Sequence, residues 1–204
     1  MKPMKRIIFF TILYFYIFSG IAQKQHLEPV SLDQNTKSDL YYISLFDKLY
    51  EDLSKDNSFR YAVVPSFYPE YGFSVESKKE KYFIISTSLS ESYWYSKNKK
   101  KVKFSTQKNK IDKELYEQIG KIFKLLEEQT KEYEELNFVT DGVSYYFITT
   151  NKDGNNKTGK IWSPSKESTL GKWIFVCDKL YHFKKNKNYN FKKEIGDIIS
   201  VLEK

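Results

Sequence analysis

Apolar and polar side chains alternate along several short segments of this chain, which is the pattern of half-buried β-strands. In Tyr71–Ser77, for example, Phe73 and Val75 fall on one face, whereas Ser74 and Glu76 fall on the other. The segments that favour strands are 59–64, 71–77, 81–89, the two arms of a hairpin over 93–106 with its turn at 96–100, 143–150 and 160–162. The connections between them are short, so we expect neighbouring strands to pair antiparallel.

Four other segments place apolar residues at the 3.6-residue spacing of an amphipathic helix. These segments, each with a capping residue near its start, are 40–53 with Ser38, 111–136 with Asp112, 170–181 with Ser168 or Thr169, and 191–202 with Asn190. The element order is therefore one helix, several strands, one helix, two strands and two helices. This order predicts the α+β class, with a single antiparallel β-sheet and helices packed mainly on one face.

The N-terminus has the three parts of an export signal. A basic segment at 2–6 precedes the uncharged apolar run Ile7–Phe18, and Gly20 and Ala22 supply the small residues of a cleavage site. The apolar run is shorter than the roughly 20 residues that a membrane-spanning helix needs. We therefore predict cleavage after Ala22 and no transmembrane span after cleavage, with an uncleaved N-terminal anchor as the alternative.

These patterns divide the chain of 204 residues into a signal peptide at 1–22, a linker at 23–37 and a single α+β domain at 38–204. The linker assignment depends on Pro29 and on a polar sequence without periodicity. An exported bacterial protein of this kind is expected to be periplasmic or secreted, away from the cytosolic pools of ATP and NAD. Cys177 is the only cysteine, which excludes an intramolecular disulfide.

The chain is basic, with a net charge of +8, and a basic surface favours polyanionic partners. Its positive charge comes almost entirely from lysine, however, because Arg6 and Arg60 are the only arginines. Arginine is the residue that recognises phosphates and bases through paired hydrogen bonds, so a specific nucleic-acid partner is not expected. The lysines within 99–103 and 184–193 leave open a weak association with anionic surfaces.

One segment comes close to a nucleotide-binding motif. Residues 154–161 follow the spacing of a phosphate loop, but Ile161 stands where a serine or threonine would hold Mg²⁺. The residues that follow, 162–164, include Pro164 and cannot begin the helix whose N-terminus would bind phosphate. Residues 151–155 likewise lack the ligand spacing of a calcium loop. The sequence therefore predicts no cofactor and no metal.

Few residues could act in catalysis. Cys177 falls on the apolar stripe of a predicted helix, which favours a buried structural thiol over a nucleophile paired with His182. Adjacent acidic residues such as Glu127 and Glu128 fall among lysines on outer helix faces, where ion pairing at the surface explains them. No residue is therefore assigned a catalytic role.

Aromatic residues make up 18% of the chain, and some of them fall outside the predicted core. The candidate binding residues among them are Tyr82, Tyr146, Tyr93, Trp94 and Tyr95. Strand alternation places the first two on the sheet face opposite Phe83 and Phe147, which would pack under the helices. The last three are consecutive and precede a lysine-rich turn. Surfaces rich in tyrosine and tryptophan are typical of recognition sites.

We therefore expect an exported, non-enzymatic binding or interaction protein, similar in role to an immunity or inhibitor protein. Its partner would be an unknown protein or envelope component that contacts the open sheet face or the basic, aromatic hairpin over 93–106. The alternative is a cell-envelope hydrolase with acidic catalytic residues that the sequence does not reveal. A flat aromatic patch would favour the binding protein, whereas ionisable groups with shifted pKa values in one cleft would favour the hydrolase.

Overall fold

A computed structural model of the chain describes residues 26–32, 36–51, 53, 58–132, 141–151 and 154–204. The predicted signal peptide and the C-terminal part of the second predicted helix lie outside the described residues. The strands are β1 (Glu28–Pro29), β2 (Phe59–Pro65), β3 (Tyr71–Lys78), β4 (Lys81–Leu89), β5 (Phe104–Ile111), β6 (Val143–Thr150) and β7 (Asn156–Trp162). They form one antiparallel sheet in the order β1-β7-β6-β2-β3-β4-β5.

The helices in the described residues are α1 (Lys37–Leu49), α2 (Lys113–Glu128), α3 (Thr169–Tyr181) and α4 (Phe191–Leu202). The last three begin at predicted caps, because Asp112, Ser168 and Asn190 each accept a hydrogen bond from an amide three residues further on. Helix α1 begins earlier than predicted, because Thr36 and Asp39 form a capping box in place of a cap at Ser38. The structure therefore confirms the α+β class.

Helices α2, α3 and α4 pack on one face of the sheet and enclose the larger of two apolar cores. Ile119 and Ile122 of α2, Trp173 of α3 and Ile195 of α4 are buried in this core. The sheet residues that point into it are Phe59, Tyr61, Val63, Phe73, Val75, Ile84, Ile111, Phe147 and Ile161. The alternation predicted for β3 and β6 is therefore confirmed on this side of the sheet.

Helix α1 packs on the opposite face of the sheet. Leu45, Phe46 and Leu49 of α1 join Tyr146 and Ile148 of β6 in a second, smaller core. Three helices thus lie on one face of the sheet and one on the other, which agrees with the prediction that the helices pack mainly on one face. The face predicted to be open is covered by α1 over its central strands.

The predicted facing of β4 is wrong. Alternation predicts Phe83 under the helices and Tyr82 on the other face, but Ile84 is the residue that pairs with Val75 of β3. Because paired residues share a face, Tyr82 and Ile84 point toward α2, and Ile85 points away. Two adjacent isoleucines allow either facing of β4, and both faces of the sheet are partly buried, so alternation alone could not decide.

The predicted hairpin over 93–106 is also wrong. Residues 90–103 instead form a long connection with a 3-10 turn at Lys99–Lys101, and β5 begins only at Phe104. The amides of Tyr93 and Trp94 donate hydrogen bonds to the carboxylate of Glu70 rather than to a paired strand. A side chain distant in the sequence therefore sets the path of this connection.

Part of the predicted linker belongs to the folded domain. Glu28 and Pro29 pair with Lys160 and Gly159 of β7 and form the edge of the sheet. Leu27 is buried in the larger core, and its carbonyl accepts a hydrogen bond from the amide of Lys131. Leu27 is a single buried residue in a polar segment, and one residue produces no periodic pattern. Its burial could therefore not be predicted from the sequence.

Candidate functional site

Four exposed aromatic side chains lie in two loops at one end of the sheet, where a fifth, Trp162 at the end of β7, is 36% exposed. Two belong to the turn between β2 and β3, and two belong to the connection between β4 and β5. The exposed fractions are 64% for Phe67, 72% for Tyr68, 58% for Trp94 and 58% for Tyr95. We call these four residues the aromatic end. Single exposed rings are common on protein surfaces, but several grouped at one place indicate an interaction surface.

Glu70 joins the two loops of the aromatic end. Its side chain is fully buried, and it accepts hydrogen bonds from the amide of Tyr93 at 2.7 Å and the amide of Trp94 at 3.3 Å. Its backbone carbonyl accepts from the amide of Leu89 at 3.1 Å, which holds the end of β4 against the same residue. One carboxylate thus fixes the backbone directly beneath the exposed Trp94 ring.

Lys99 holds the same connection from the other side. Its ammonium donates hydrogen bonds to the backbone carbonyls of Tyr93, Trp94 and Ser96 and lies 4.8 Å from the centre of the Tyr93 ring. The carboxylate of Glu70 therefore binds the amides of this segment, and the ammonium of Lys99 binds its carbonyls. With both kinds of backbone group satisfied, the segment that carries Trp94 and Tyr95 is held in one conformation.

Tyr41 connects α1 to this site. Its hydroxyl donates a hydrogen bond of 2.7 Å to Glu70, and its ring packs edge-on against Trp94 with 4.7 Å between ring centres. Burial raises the pKa of Tyr41, and the hydrogen bond to Glu70 raises it further, so the hydroxyl stays protonated and remains a donor. The cap formed by Thr36 and Asp39 starts α1 at the position that delivers Tyr41 to Glu70.

The structure separates the five predicted binding residues into different environments. Trp94 and Tyr95 are exposed at the aromatic end. Tyr93, which precedes them, is buried, and its hydroxyl shares a hydrogen bond with the hydroxyl of Ser44. Tyr146 is 1% exposed beneath α1, where it packs against Phe46 and Tyr42. Tyr82 is half-buried on the other face, with its ring 4.8 Å from that of Tyr116. The structure therefore groups Tyr93, Trp94 and Tyr95 and excludes a shared surface with Tyr82 and Tyr146.

Four residues of this site, Glu70, Tyr41, Phe67 and Tyr68, were not predicted from the sequence. Of these, the pair Phe67 and Tyr68 left a signal, because two large rings precede Pro69 in a segment that connects two predicted strands. Aromatic residues in a turn have no strand face to bury them, so their exposure could have been inferred. Glu70 left no signal, since its role depends on partners from α1 and from the connection between β4 and β5.

The connection that carries Trp94 and Tyr95 is rich in exposed positive charge. The exposed lysines of the connection between β4 and β5 are Lys97, Lys100, Lys101 and Lys103. None of them forms an ion pair within the part of the chain that the structure describes. Val102, in the middle of this run, is buried in the smaller core and anchors it. The acidic residues of these two loops are Glu70, which is buried, and Glu91, which is exposed.

A second feature is a groove of about 930 Å³ along α3. Asp178 lines it, half-buried, and accepts hydrogen bonds at Oδ1 from the hydroxyls of Tyr71 at 3.2 Å and Tyr61 at 3.4 Å. Burial raises the pKa of Asp178, although the two tyrosine hydroxyls act in the opposite direction. The apolar part of the lining includes Phe175 and Val201, both partly exposed.

Other candidate chemistry has a structural explanation. Cys177 is fully buried, and burial raises the pKa of its thiol, which makes it a poor nucleophile. The near-match to a phosphate loop is mostly strand β7, in which Lys160 pairs with Glu28 at 3.9 Å. Among the described residues no group of three or more His, Cys, Asp or Glu side chains is placed to hold a metal ion. No described helix has the length and hydrophobicity to cross a membrane.

Comparison of the chain with protein-family models, with curated proteins and with solved structures finds no match.

Proposed function

We propose that this chain is a non-enzymatic binding protein that contacts its partner through the aromatic end. The observation that carries the proposal is the buried carboxylate of Glu70, which holds two loops so that Phe67, Tyr68, Trp94 and Tyr95 project together. The proposal keeps the partner class expected from the sequence, a protein or envelope component, and the exported location. An inhibitor-like or immunity-like role fits a surface of this kind.

Rigid aromatic side chains are efficient binding groups. Tryptophan and tyrosine are enriched among the residues that contribute most to interfaces, because each buries a large area while losing little side-chain freedom. At the aromatic end the backbone is already fixed by Glu70 and Lys99, so binding does not have to order it. The exposed rings thus have the properties of preformed anchors.

A cell-envelope hydrolase is the second candidate, and Asp178 is the observation in its favour. A half-buried carboxyl with a raised pKa, in a groove large enough for a small substrate, is a candidate general acid. We rank it second because the side chains that hydrogen-bond to Asp178 in the described residues are the hydroxyls of Tyr61 and Tyr71. A hydrolase that uses paired groups would hold a second carboxylate or an imidazole at hydrogen-bond distance.

Paired substitutions at the aromatic end test the binding proposal. Trp94→Ala with Tyr95→Ala removes two exposed rings, and we expect it to weaken capture of envelope components by the immobilised protein by roughly tenfold or more. Phe175→Ala is the matched control, because Phe175 is also aromatic and 55% exposed but lines the groove along α3 and not the aromatic end. Equal capture by both variants and the unchanged chain would refute the proposal. Release of fragments from envelope polymers, lost in Asp178→Asn, would favour the hydrolase instead.

A further inference from the structure

We propose that the partner of the aromatic end is the surface of an anionic lipid bilayer, with the exposed rings entering the headgroup region. The inference depends on the proposed function, because it names the partner class of the same surface. It is carried by the kinds of aromatic residue present, by the sign of the charge around them and by the geometry of the two loops.

The exposed rings are of the type that prefers a membrane–water interface. Tryptophan and tyrosine combine an apolar ring with a polar N–H or O–H, so they concentrate at the headgroup level of bilayers. Tyr68, Trp94 and Tyr95 have this character, and Phe67 adds a purely apolar ring beside Tyr68. Exposure of 58–72% means that these rings protrude from their loops, as insertion requires.

The charge around the rings has a single dominant sign. Lys97, Lys100, Lys101 and Lys103 are exposed on the connection that carries Trp94 and Tyr95, with Glu91 as the one exposed acid there. Lysine is suited to this position, because its long apolar stem lies along the interface while its ammonium reaches the phosphates. Each such lysine adds attraction to an anionic surface, and salt screens that attraction.

The geometry allows both loops to meet a plane at once. Glu70 brings the turn between β2 and β3 against the connection between β4 and β5, at the same end of the sheet. A folded protein partner would have to supply separate pockets for protruding rings and acidic groups for a run of lysines. A bilayer supplies a soft apolar layer and spread negative charge together, which is why we favour it over a protein.

Vesicle flotation with the full chain tests this inference. We expect the protein to bind vesicles of phosphatidylcholine mixed with phosphatidylglycerol more strongly than vesicles of phosphatidylcholine alone, and to be released by high salt. Trp94→Ala with Tyr95→Ala should lower binding to the anionic vesicles roughly tenfold. Phe175→Ala should not change it. Every variant contains the same apolar run, Ile7–Phe18, so any contribution of this run to vesicle binding is the same in all variants. Differences between variants therefore report on the aromatic end.

Substitutions of lysine provide a second test of the lipid inference by vesicle flotation. Lys100→Gln, Lys101→Gln and Lys103→Gln together should weaken binding to anionic vesicles and flatten its salt dependence, whereas the same change at the exposed Lys184, Lys185 and Lys187 should not. Equal binding to both vesicle types, or a loss only with the second lysine set, would overturn the inference. Circular dichroism of each variant, compared with the unchanged chain, verifies that loss of binding is not loss of fold.

The two proposals can fail separately. Suppose that the chain does not bind vesicles but captures an envelope protein, and that this capture is lost in the Trp94 and Tyr95 variant. That result would overturn the lipid inference and support the proposed binding function. If neither vesicle binding nor capture changes in the Trp94 and Tyr95 variant, both proposals are wrong.

Discussion

Glu70 and Asp178 are both carboxylates bound by tyrosine hydroxyls, but their surroundings give them different roles. Glu70 is fully buried and has donors on both oxygens, so it fixes backbone and is closed to a ligand. Asp178 is half-buried, receives both tyrosine hydroxyls on Oδ1 and lines a groove. The first arrangement is that of a structural group, and the second leaves a carboxylate within reach of a small molecule.

Replacement of Glu70 should destabilise the fold. Glu70→Ala leaves the Tyr41 hydroxyl and the Tyr93 amide without their acceptor, and buried unsatisfied donors cost about 1–3 kcal/mol each. We expect a loss of about 2–4 kcal/mol in the free energy of unfolding, measured by urea denaturation, and a smaller loss for Glu70→Gln, which keeps one acceptor. Glu91→Ala, at an exposed site near Glu70, is the control. Equal stability of the Glu70→Ala and Glu91→Ala variants would contradict the role assigned to Glu70.

Asp178 should make stability depend on pH. Its folded pKa lies above its unfolded pKa, so its contribution to stability is fully present below the unfolded pKa and is lost as pH rises through the folded pKa. Asp178→Asn keeps an acceptor for Tyr61 and Tyr71 but cannot ionise. The variant should therefore melt at a higher temperature than the unchanged chain at neutral pH, and the difference should shrink as pH falls. A difference that stays constant with pH would show that burial of the charge is not the cause.

At the scale of elements, the turn between β3 and β4 departs from what its residues prefer. Lys79 and Glu80 form a two-residue hairpin loop with φ angles of 49° and 58°. Loops of this type favour Asn-Gly, because side chains with a Cβ are strained at positive φ. Lys79→Asn with Glu80→Gly should raise the free energy of unfolding by about 0.5–1 kcal/mol. The control Glu80→Ala should give no gain in urea denaturation, since alanine keeps the Cβ, and an equal gain from it would refute the explanation.

The elements could be predicted from the sequence wherever local signals agree. Strands β4 and β6 and the caps of α2, α3 and α4 follow from alternation and from Asp112, Ser168 and Asn190. The remaining features depend on contacts between distant segments. The facing of β4 was ambiguous at two adjacent isoleucines, and the path of residues 90–103 is set by Glu70. Of the site, only Trp94 and Tyr95 were predicted, because two aromatic residues beside a run of lysines form a local pattern. No local pattern indicates that Glu70 and Tyr41 belong to the site.

At the scale of the molecule, the two edges of the sheet differ. The β5 edge pairs only with β4 among the described strands, and its exposed Lys108 and Lys110 discourage pairing with another chain. At the opposite edge, β7 pairs with β1 over two residues. Side-chain burial adds to this pairing, because Leu27 packs closely against Gly159. A Cβ added at Gly159 would lie 2.7 Å from Cδ1 of Leu27. The N-terminal segment thus closes the core where α2 ends.

The importance of this closure can be measured at one residue. Leu27 is 2% exposed and belongs to the larger core, so Leu27→Ala should lower the free energy of unfolding by about 2–4 kcal/mol through lost burial and the cavity left behind. Leu40→Ala is the matched control, because Leu40 is 52% exposed on α1 and its loss should change stability by no more than about 0.5 kcal/mol. Urea denaturation of both variants and the unchanged chain provides the comparison. If residues 26–32 acted only as a linker, the two substitutions would have the same small effect on stability. That result would refute the conclusion that these residues fold as part of the domain.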